Sequence, residues 1–395
     1  MSSPTFDVMG AFRTAGELYA QKRFEAAAQA WDKILRELPQ SAEAHCNLGR
    51  ALTELGRFDA GEAALRQALT LKPGAAWALH SLAVLHQLSG RGAVAEDLYR
   101  QAIAADPTDL RARLDLGYLY LERGDFARGW PLYEFRKDVP GQHATRLDLP
   151  EWQGEPLAGK ALLVWREQGF GDQIQFARFI PVLKAMGAEV SMVCAPELAS
   201  LFQDLAVAIH PFSDELTLPA PDYWTLPLSI PHRLGFTAQS LPQSPYLAAP
   251  DDRRARWAGF APPGSVGVVW RGSATHGNDH HRSLPSRDLL APLEAAGAPL
   301  LDLQTPLGDF ADLAAVVEQL DLVVTVDTAM AHLAGALGKE CWLMLPWFRT
   351  DWRWLTEGRT TPWYPSLRLF RQPAMGDWTS VIADIARAYA ERRGD

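Results

Sequence analysis

Cysteine is scarce in this chain, and so are long apolar runs and any excess of positive charge. The three cysteines, Cys46, Cys194 and Cys341, stand far apart, with no CxxC pair and no Cys/His cluster beside them. A disulfide framework and a structural zinc site both lack support, and reducing cytoplasm is the simplest compartment. No stretch approaches the roughly eighteen uninterrupted apolar residues of a membrane-spanning helix. Met1 to Gly10 also lacks a basic segment followed by an apolar one, so neither a signal peptide nor stable membrane insertion is expected. The net charge of −9 argues against a general nucleic-acid binder, which needs a basic face to neutralise phosphates. It leaves room for one phosphate-bearing small ligand held by local donors. What is present, 48% apolar and 22% charged residues over 395 positions, is the balance of a globular chain of two or three domains.

The first third repeats itself. Pro39, Pro73 and Pro107 recur at a 34-residue interval, as do Leu48, Leu82 and Leu116, and Leu65, Tyr99 and Tyr133. Phe24, Phe58 and Phe126 share a further position, where Gly92 is the exception. That interval, with a helix-breaking proline closing each unit, is the tetratricopeptide spacing. The segments AEAHCNLGRALTELGRFDAGEAALRQALTLKP and LRARLDLGYLYLERGDFARGWPLYEF resemble that family. The spacing predicts three full repeats and a fourth without its proline, each a helix pair that buries its apolar stripe only by stacking on neighbours. Gly49, Ala68, Ala95, Ala102 and Gly117 are the small residues where helices must meet closely. The concave surface of such a stack commonly binds a polypeptide.

Between Asp138 and Gly159 the text turns Pro- and Gly-rich and loses helical period, which marks a boundary. Beyond it, apolar runs alternate with helix-like segments. ALLVW (161–165) precedes IQFARFIPVLKAMG, and VSMVC (190–194) precedes the helix candidate PELASLFQDL. A proline-rich stretch from Pro211 to Pro250 separates this half from a second, with strands VGVVW (266–270), LLDLQ (300–304), LVVTV (322–326) and CWLML (341–345). Such alternation predicts two parallel, Rossmann-like sheets with helices on their faces. The expected organisation is α plus α/β, with a helical solenoid over 8–140, a first lobe over 159–250 and a second over 264–395.

Ligands of open α/β sheets sit beyond the carboxyl ends of the strands, so three loops are candidates. In WREQGFGDQIQFAR the turn Gly169-Phe170-Gly171 permits a tight path, but Ile174 stands where a dinucleotide fingerprint needs glycine. Asp172 there suits either a general base on an acceptor hydroxyl or a helix N-cap. In VVWRGSATHGNDHHRSLP, Arg271, Gly272 and Ser273 follow a strand and suit phosphate oxygens, with His276, His280, His281 and Arg282 after them. A plain solvated loop is the alternative. The histidines lack the further ligands a metal needs, so no metal is expected. In DLVVTVDTAMAHLAGALGK, a strand runs into Asp327-Thr328 and a helix opens at Ala329, with His332 in its first turn. This suits a phosphate at a helix N-terminus, or an ordinary Asp/Thr cap beside a packed histidine. Trp342, Trp347, Trp352, Trp354 and Trp363 crowd the last stretch and suit core packing better than a sugar-stacking rim.

As a set, LLVWREQGFGDQIQFARF, VGVVWRGSATHGNDHHRSLP, DLVVTVDTAMAHLAGALGK and DWRWL followed by TPWYPSLRLFRQ resemble bacterial heptosyltransferase-like glycosyltransferases with a tetratricopeptide arm. The resemblance covers essentially the whole chain. It implies a GT-B fold, an acceptor lobe preceding a donor lobe, and metal-independent transfer from a nucleotide-sugar donor with no further cofactor. It also implies Asp172 as catalytic base, and Asp327, Thr328 and His332 in the family's Asp-Thr-Gly-x-x-His donor motif, with Ala329 in place of its glycine. Arg271, Gly272, Ser273, His276 and Gln304 are the remaining donor-binding candidates it implies. The arm is expected to recruit a protein acceptor, flagellin being one candidate by analogy; a lipid-linked glycan acceptor and a non-catalytic scaffold are the rival readings.

Overall fold

The computed structural model describes residues 7–140, 145–218, 220–305 and 307–394. Residues 141–144 of the boundary segment, and Pro219 within the proline-rich stretch, lie outside the described residues. The chain forms two compact units. One holds the residues up to Tyr120 and the segment from Pro131, and the other holds Leu121–Trp130 and everything described after residue 144.

The first unit is the helical repeat array. Its helices run Val8–Ala20, Phe24–Glu37, Ala42–Glu54, Phe58–Leu71, Ala76–Leu88 and Gly92–Ala105, continuing into Leu110–Glu122. The 34-residue rule works through contact. At Gly49 a Cβ would lie 2.5 Å from Leu65 Cγ and 2.9 Å from the Gly61 carbonyl, so only glycine lets the second helix pair close. Ala15, Ala27, Trp31, Ile34 and Ala44 share one core across three helices, the mutual burial on which a solenoid depends.

The second unit contains two parallel sheets. The first has strands β1 (Ala161–Val164), β2 (Glu189–Cys194), β3 (Ala208–Pro211) and β4 (Tyr223–Thr225), in the order β3-β2-β1-β4. The second has β5 (Val266–Val269), β6 (Leu300–Asp302), β7 (Leu322–Val326), β8 (Cys341–Leu345) and β9 (Leu367–Arg371), in the order β6-β5-β7-β8-β9. Every β7 and β8 residue is buried, as expected of parallel strands covered on both faces. The terminal helix Trp378–Gly394 covers this sheet with Val381, Ile382, Ile385 and Tyr389.

Three expectations need correcting. PELASLFQDL is not an α-helix but two 3-10 turns, Pro196–Leu198 and Gln203–Leu205, the second ending on Ala206 at φ 53°. The proline-rich stretch is not only a separator, because β4 lies inside it and pairs with β1 through Leu163↔Trp224. The last part of the repeat segment, Leu121–Trp130, belongs to the unit of the sheets. There Phe126, Trp130, Trp352 and Trp363 form one cluster, with ring centroids 5.3 to 6.5 Å apart. The Trp130 Nε1–H donates to the Phe236 carbonyl at 3.0 Å.

Candidate functional site

The site is built from two helix starts, each just past the carboxyl end of a central strand. After β1 the chain turns at Gly169 into helix Phe170–Phe176. After β7 it turns at Thr328 into helix Ala329–Ala336. These helices pack directly on each other at Gly171: a Cβ there would lie 2.6 Å from His332 Cδ2 and 3.5 Å from Ala329 Cα. The second glycine of the Gly-Phe-Gly turn is therefore required by close approach.

Asp172 is not the N-cap of its helix; Gly169 is, and Asp172 closes the first turn from inside it. Its Oδ2 accepts from the Gly169 N–H at 3.0 Å, and its Oδ1 accepts from Arg353 Nη2 at 2.5 Å. Arg353 also donates through Nε to Gln175 Oε1 and through Nη1 to both oxygens of Asp351. Its guanidinium lies 4.4 Å from the centroid of Trp352. Burial pushes the Asp172 carboxyl up; Arg353 pulls it back, Asp351 adds to the rise, and the result stays above the usual carboxylate value. The side chain is still 20% exposed.

Asp327 sits at the mouth of β7, and its carbonyl accepts from Arg282 Nη1 at 2.8 Å. Burial, reinforced by Asp351 and opposed by Arg282, pushes its carboxyl up to about 7. A carboxyl raised in the folded state binds more protons there than in the unfolded chain, so stability falls as pH rises from about 4 through 7. At roughly 1.4 kcal/mol per pH unit, Asp327→Asn is expected to gain up to about 4 kcal/mol relative to the parent above pH 7 and nothing below pH 4. Thermal melts from pH 4 to 8.5 read this difference, and parallel curves for the two proteins would refute it.

Thr328 is the N-cap, its Oγ1 accepting from the Met330 N–H at 3.3 Å, so the first turn is not left as open as its small residues imply. His332 is buried, with Nδ1 3.1 Å from the Tyr364 hydroxyl and its ring 5.2 Å from Trp354. Burial, helped by Arg353 and Arg178, holds it well below the usual histidine value, hence neutral. Arg178 itself is 1% exposed and is bonded to the carbonyls of Gln175, Pro242 and Trp363. It lies against the rings of Tyr246, Trp363 and Tyr364.

The second candidate loop is braced from within. The Arg271 N–H is taken by Gln304 Oε1 at 3.0 Å and the Gly272 N–H by Ser283 Oγ at 2.9 Å, so neither is spare for a phosphate. Gln304 Nε2 returns a bond to the Arg271 carbonyl, which makes Gln304 a brace for the loop. The Arg271 guanidinium is exposed over Trp270, Ser273 Oγ pairs with Thr275, and His276 Nδ1 accepts from the Asn278 N–H. Arg282 is the loop residue that reaches Asp327, lying against Gly272 on the way.

Ala329 and His332 therefore sit against Gly171, next to Asp172, and Asp327 shares Asp351 and Arg353 with Asp172 as charged neighbours. The contacts described for Arg271, Ser273, His276 and Gln304 stay within the loops of the second sheet. Sequence reasoning missed Arg353 and Asp351 as site residues; the only signal was a charged pair inside the tryptophan-rich DWRWL. Of the tryptophans there, Trp342, Trp352, Trp354 and Trp363 are buried while Trp347 is 38% exposed.

Known proteins give this chain partial likenesses. Residues 12–76 and 98–130 match Tetratricopeptide repeat families. Protein FlbA of Caulobacter vibrioides is 25% identical over 438 aligned positions, which cover 97% of this chain and 72% of that protein. A crystal structure of the MamA protein is 20% identical over 33% of this chain and 72% of its own, with a TM-score of 0.29. YrrB, described as a TPR protein with an unusual peptide-binding site, is 16% identical over 35% of this chain and 71% of its own, with a TM-score of 0.28. The Naa15/Naa10 complex bound to HypK-THB aligns over 34% of this chain but only 20% of the matched chain, at 20% identity and a TM-score of 0.30. The chain thus carries tetratricopeptide repeats ahead of two parallel α/β sheets, and resembles FlbA along nearly its whole length.

Proposed function

We propose that the second unit is a two-lobed glycosyltransferase of the GT-B kind, moving a sugar from a nucleotide-sugar donor to an acceptor hydroxyl. One observation carries the reading: two helices that open past the strand ends of separate parallel sheets meet at Gly171 and His332, with Asp172 beside the contact. Ligands of such sheets bind beyond those strand ends. In the proposed reaction the acceptor oxygen bonds to the anomeric carbon and gives its proton to Asp172. The bond from that carbon to the donor phosphate breaks, and the electron pair leaves on the phosphate. Arg282, the exposed Arg271 and the N-terminal end of helix Ala329–Ala336 supply the positive potential for the departing group. The resemblance of the four sequence segments to heptosyltransferase-like enzymes supports the same assignment. The repeat array is the proposed holder of a polypeptide acceptor.

The test is a thermal-shift screen of the full chain with nucleoside diphosphates and nucleotide sugars. A ligand at about a hundred times its Kd stabilises by about 2.7 kcal/mol, a shift of several degrees. The expected result is a saturable rise with one nucleotide class, lost in Arg271→Ala. No rise with any nucleotide would replace the enzyme with a scaffold.

A further inference from the structure

Arg353 is the most heavily committed cation of the site. It is 4% exposed, and its three donor groups are all spent. Two of its acceptors, Asp172 and Gln175, lie on helix Phe170–Phe176, and the third, Asp351, caps the 3-10 turn Trp352–Trp354 that carries Arg353 itself. The Asp351 side chain also accepts from the Arg353 N–H at 2.9 Å, which fixes the turn. Trp352 backs the guanidinium on one side, and Trp352 is in turn packed by Phe126 and Trp130. A planar fork held in this way cannot swing out to a substrate. It can orient a carboxylate and favour its charge.

We infer that Arg353 is a positioning residue that holds the Asp172 carboxyl group in a fixed orientation, and that it acts on the reaction only through Asp172. The inference rests on the glycosyltransferase reading for its purpose but not for its test. Asp172 needs such a partner. Burial works against its charge, and the groups around it divide: Asp351 and Glu167 oppose ionisation, while Arg353 and the Gly169 N–H favour it. His332, on the facing helix, is neutral and contributes no charge. Arg353 is therefore the one cation in direct contact with the carboxylate among these groups. Each Asp172 oxygen keeps a further lone pair, so the hydrogen bonds from Gly169 and Arg353 leave it able to take a proton.

The experiment is an infrared titration of the protonated-carboxyl band in the full-length protein, without ligand. The Asp172 component is identified as the one missing in Asp172→Asn. In Arg353→Gln its midpoint is expected to rise by about one to two pH units. In Arg353→Lys, which keeps charge but loses the fork, it is expected to rise by less than half as much. If the glutamine variant does not fold, the lysine variant decides alone. A midpoint unchanged in every folded variant overturns the inference, whether or not any nucleotide binds. Conversely, a shifted midpoint with no nucleotide binding would uphold the positioning role and defeat the glycosyltransferase reading.

Discussion

Asp172→Asn is expected to lower sugar transfer by about 10²- to 10⁴-fold while leaving nucleotide binding unchanged. The range is that of a positioned general base. Asparagine keeps the volume and an oxygen for Arg353, so the contact between helix Phe170–Phe176 and Arg353 persists, whereas the proton acceptor is gone. Donor affinity should be unmoved, because the proposed phosphate contacts, Arg271, Arg282 and the start of helix Ala329–Ala336, all lie with the second sheet. Single-turnover transfer at saturating donor, together with the nucleotide-induced melting shift, separates the two effects. Transfer within a few-fold of the parent would remove Asp172 from the chemistry. Loss of both transfer and nucleotide binding would mean that the substitution had disturbed the site as a whole.

Trp130→Ala should produce a large loss of stability in the second unit. Trp130 is 2% exposed, its ring centroid lies 5.5 Å from that of Trp352 and 6.3 Å from that of Trp363, and its indole N–H holds the Phe236 carbonyl. Large-to-small changes of this type cost about 3–5 kcal/mol, because a cavity is added to the lost burial. A unit of this size melts lower by about 2–4 °C per kcal/mol, so a drop of about 10 °C is expected. The consequence for truncation is direct. Removing the repeats as far as residue 140 deletes Phe126 and Trp130 and should leave the sheets unstable. A truncation ending at Tyr120 keeps both and is the proper test of whether the repeats recruit a polypeptide. Equal melting temperatures for the two truncations would contradict this account of the tryptophan cluster.

The repeats were legible because a solenoid uses one local environment again and again, so its contacts appear as a period in the text. Strands β1, β2, β5, β7 and β8 were legible as largely apolar runs, the mark of strands covered on both faces, while β6 was legible from its paired leucines although none of its residues is fully buried. The missed strands lack that mark. β3 has no fully buried residue, β4 has three residues among prolines, and β9 has its apolar residues interrupted by Arg368 and Arg371. PELASLFQDL has helical composition, but the chain turns out of it at Ala206, a local geometry that composition does not encode. Within the site, Asp172 could be picked out because a glycine turn after a strand is a local pattern. Arg353 could not, since the carboxylate that gives it a role lies 181 residues away. The Gly272 N–H illustrates the opposite error: the sequence suggests a spare donor, and Ser283, eleven residues on, consumes it.

Arg178 adds a property that depends on none of these assignments. Its charge is stabilised by peptide dipoles and aromatic faces, partners that carry no net charge themselves. Mobile ions weaken attractions between exposed opposite charges, but they have little hold on a buried cation solvated by fixed dipoles. Because the three carbonyls belong to helix Phe170–Phe176, to the segment at Pro242 and to the turn before β9, one guanidinium ties three distant parts of the chain. That tie should be nearly indifferent to ionic strength, unlike the exposed surface pairs elsewhere in the protein.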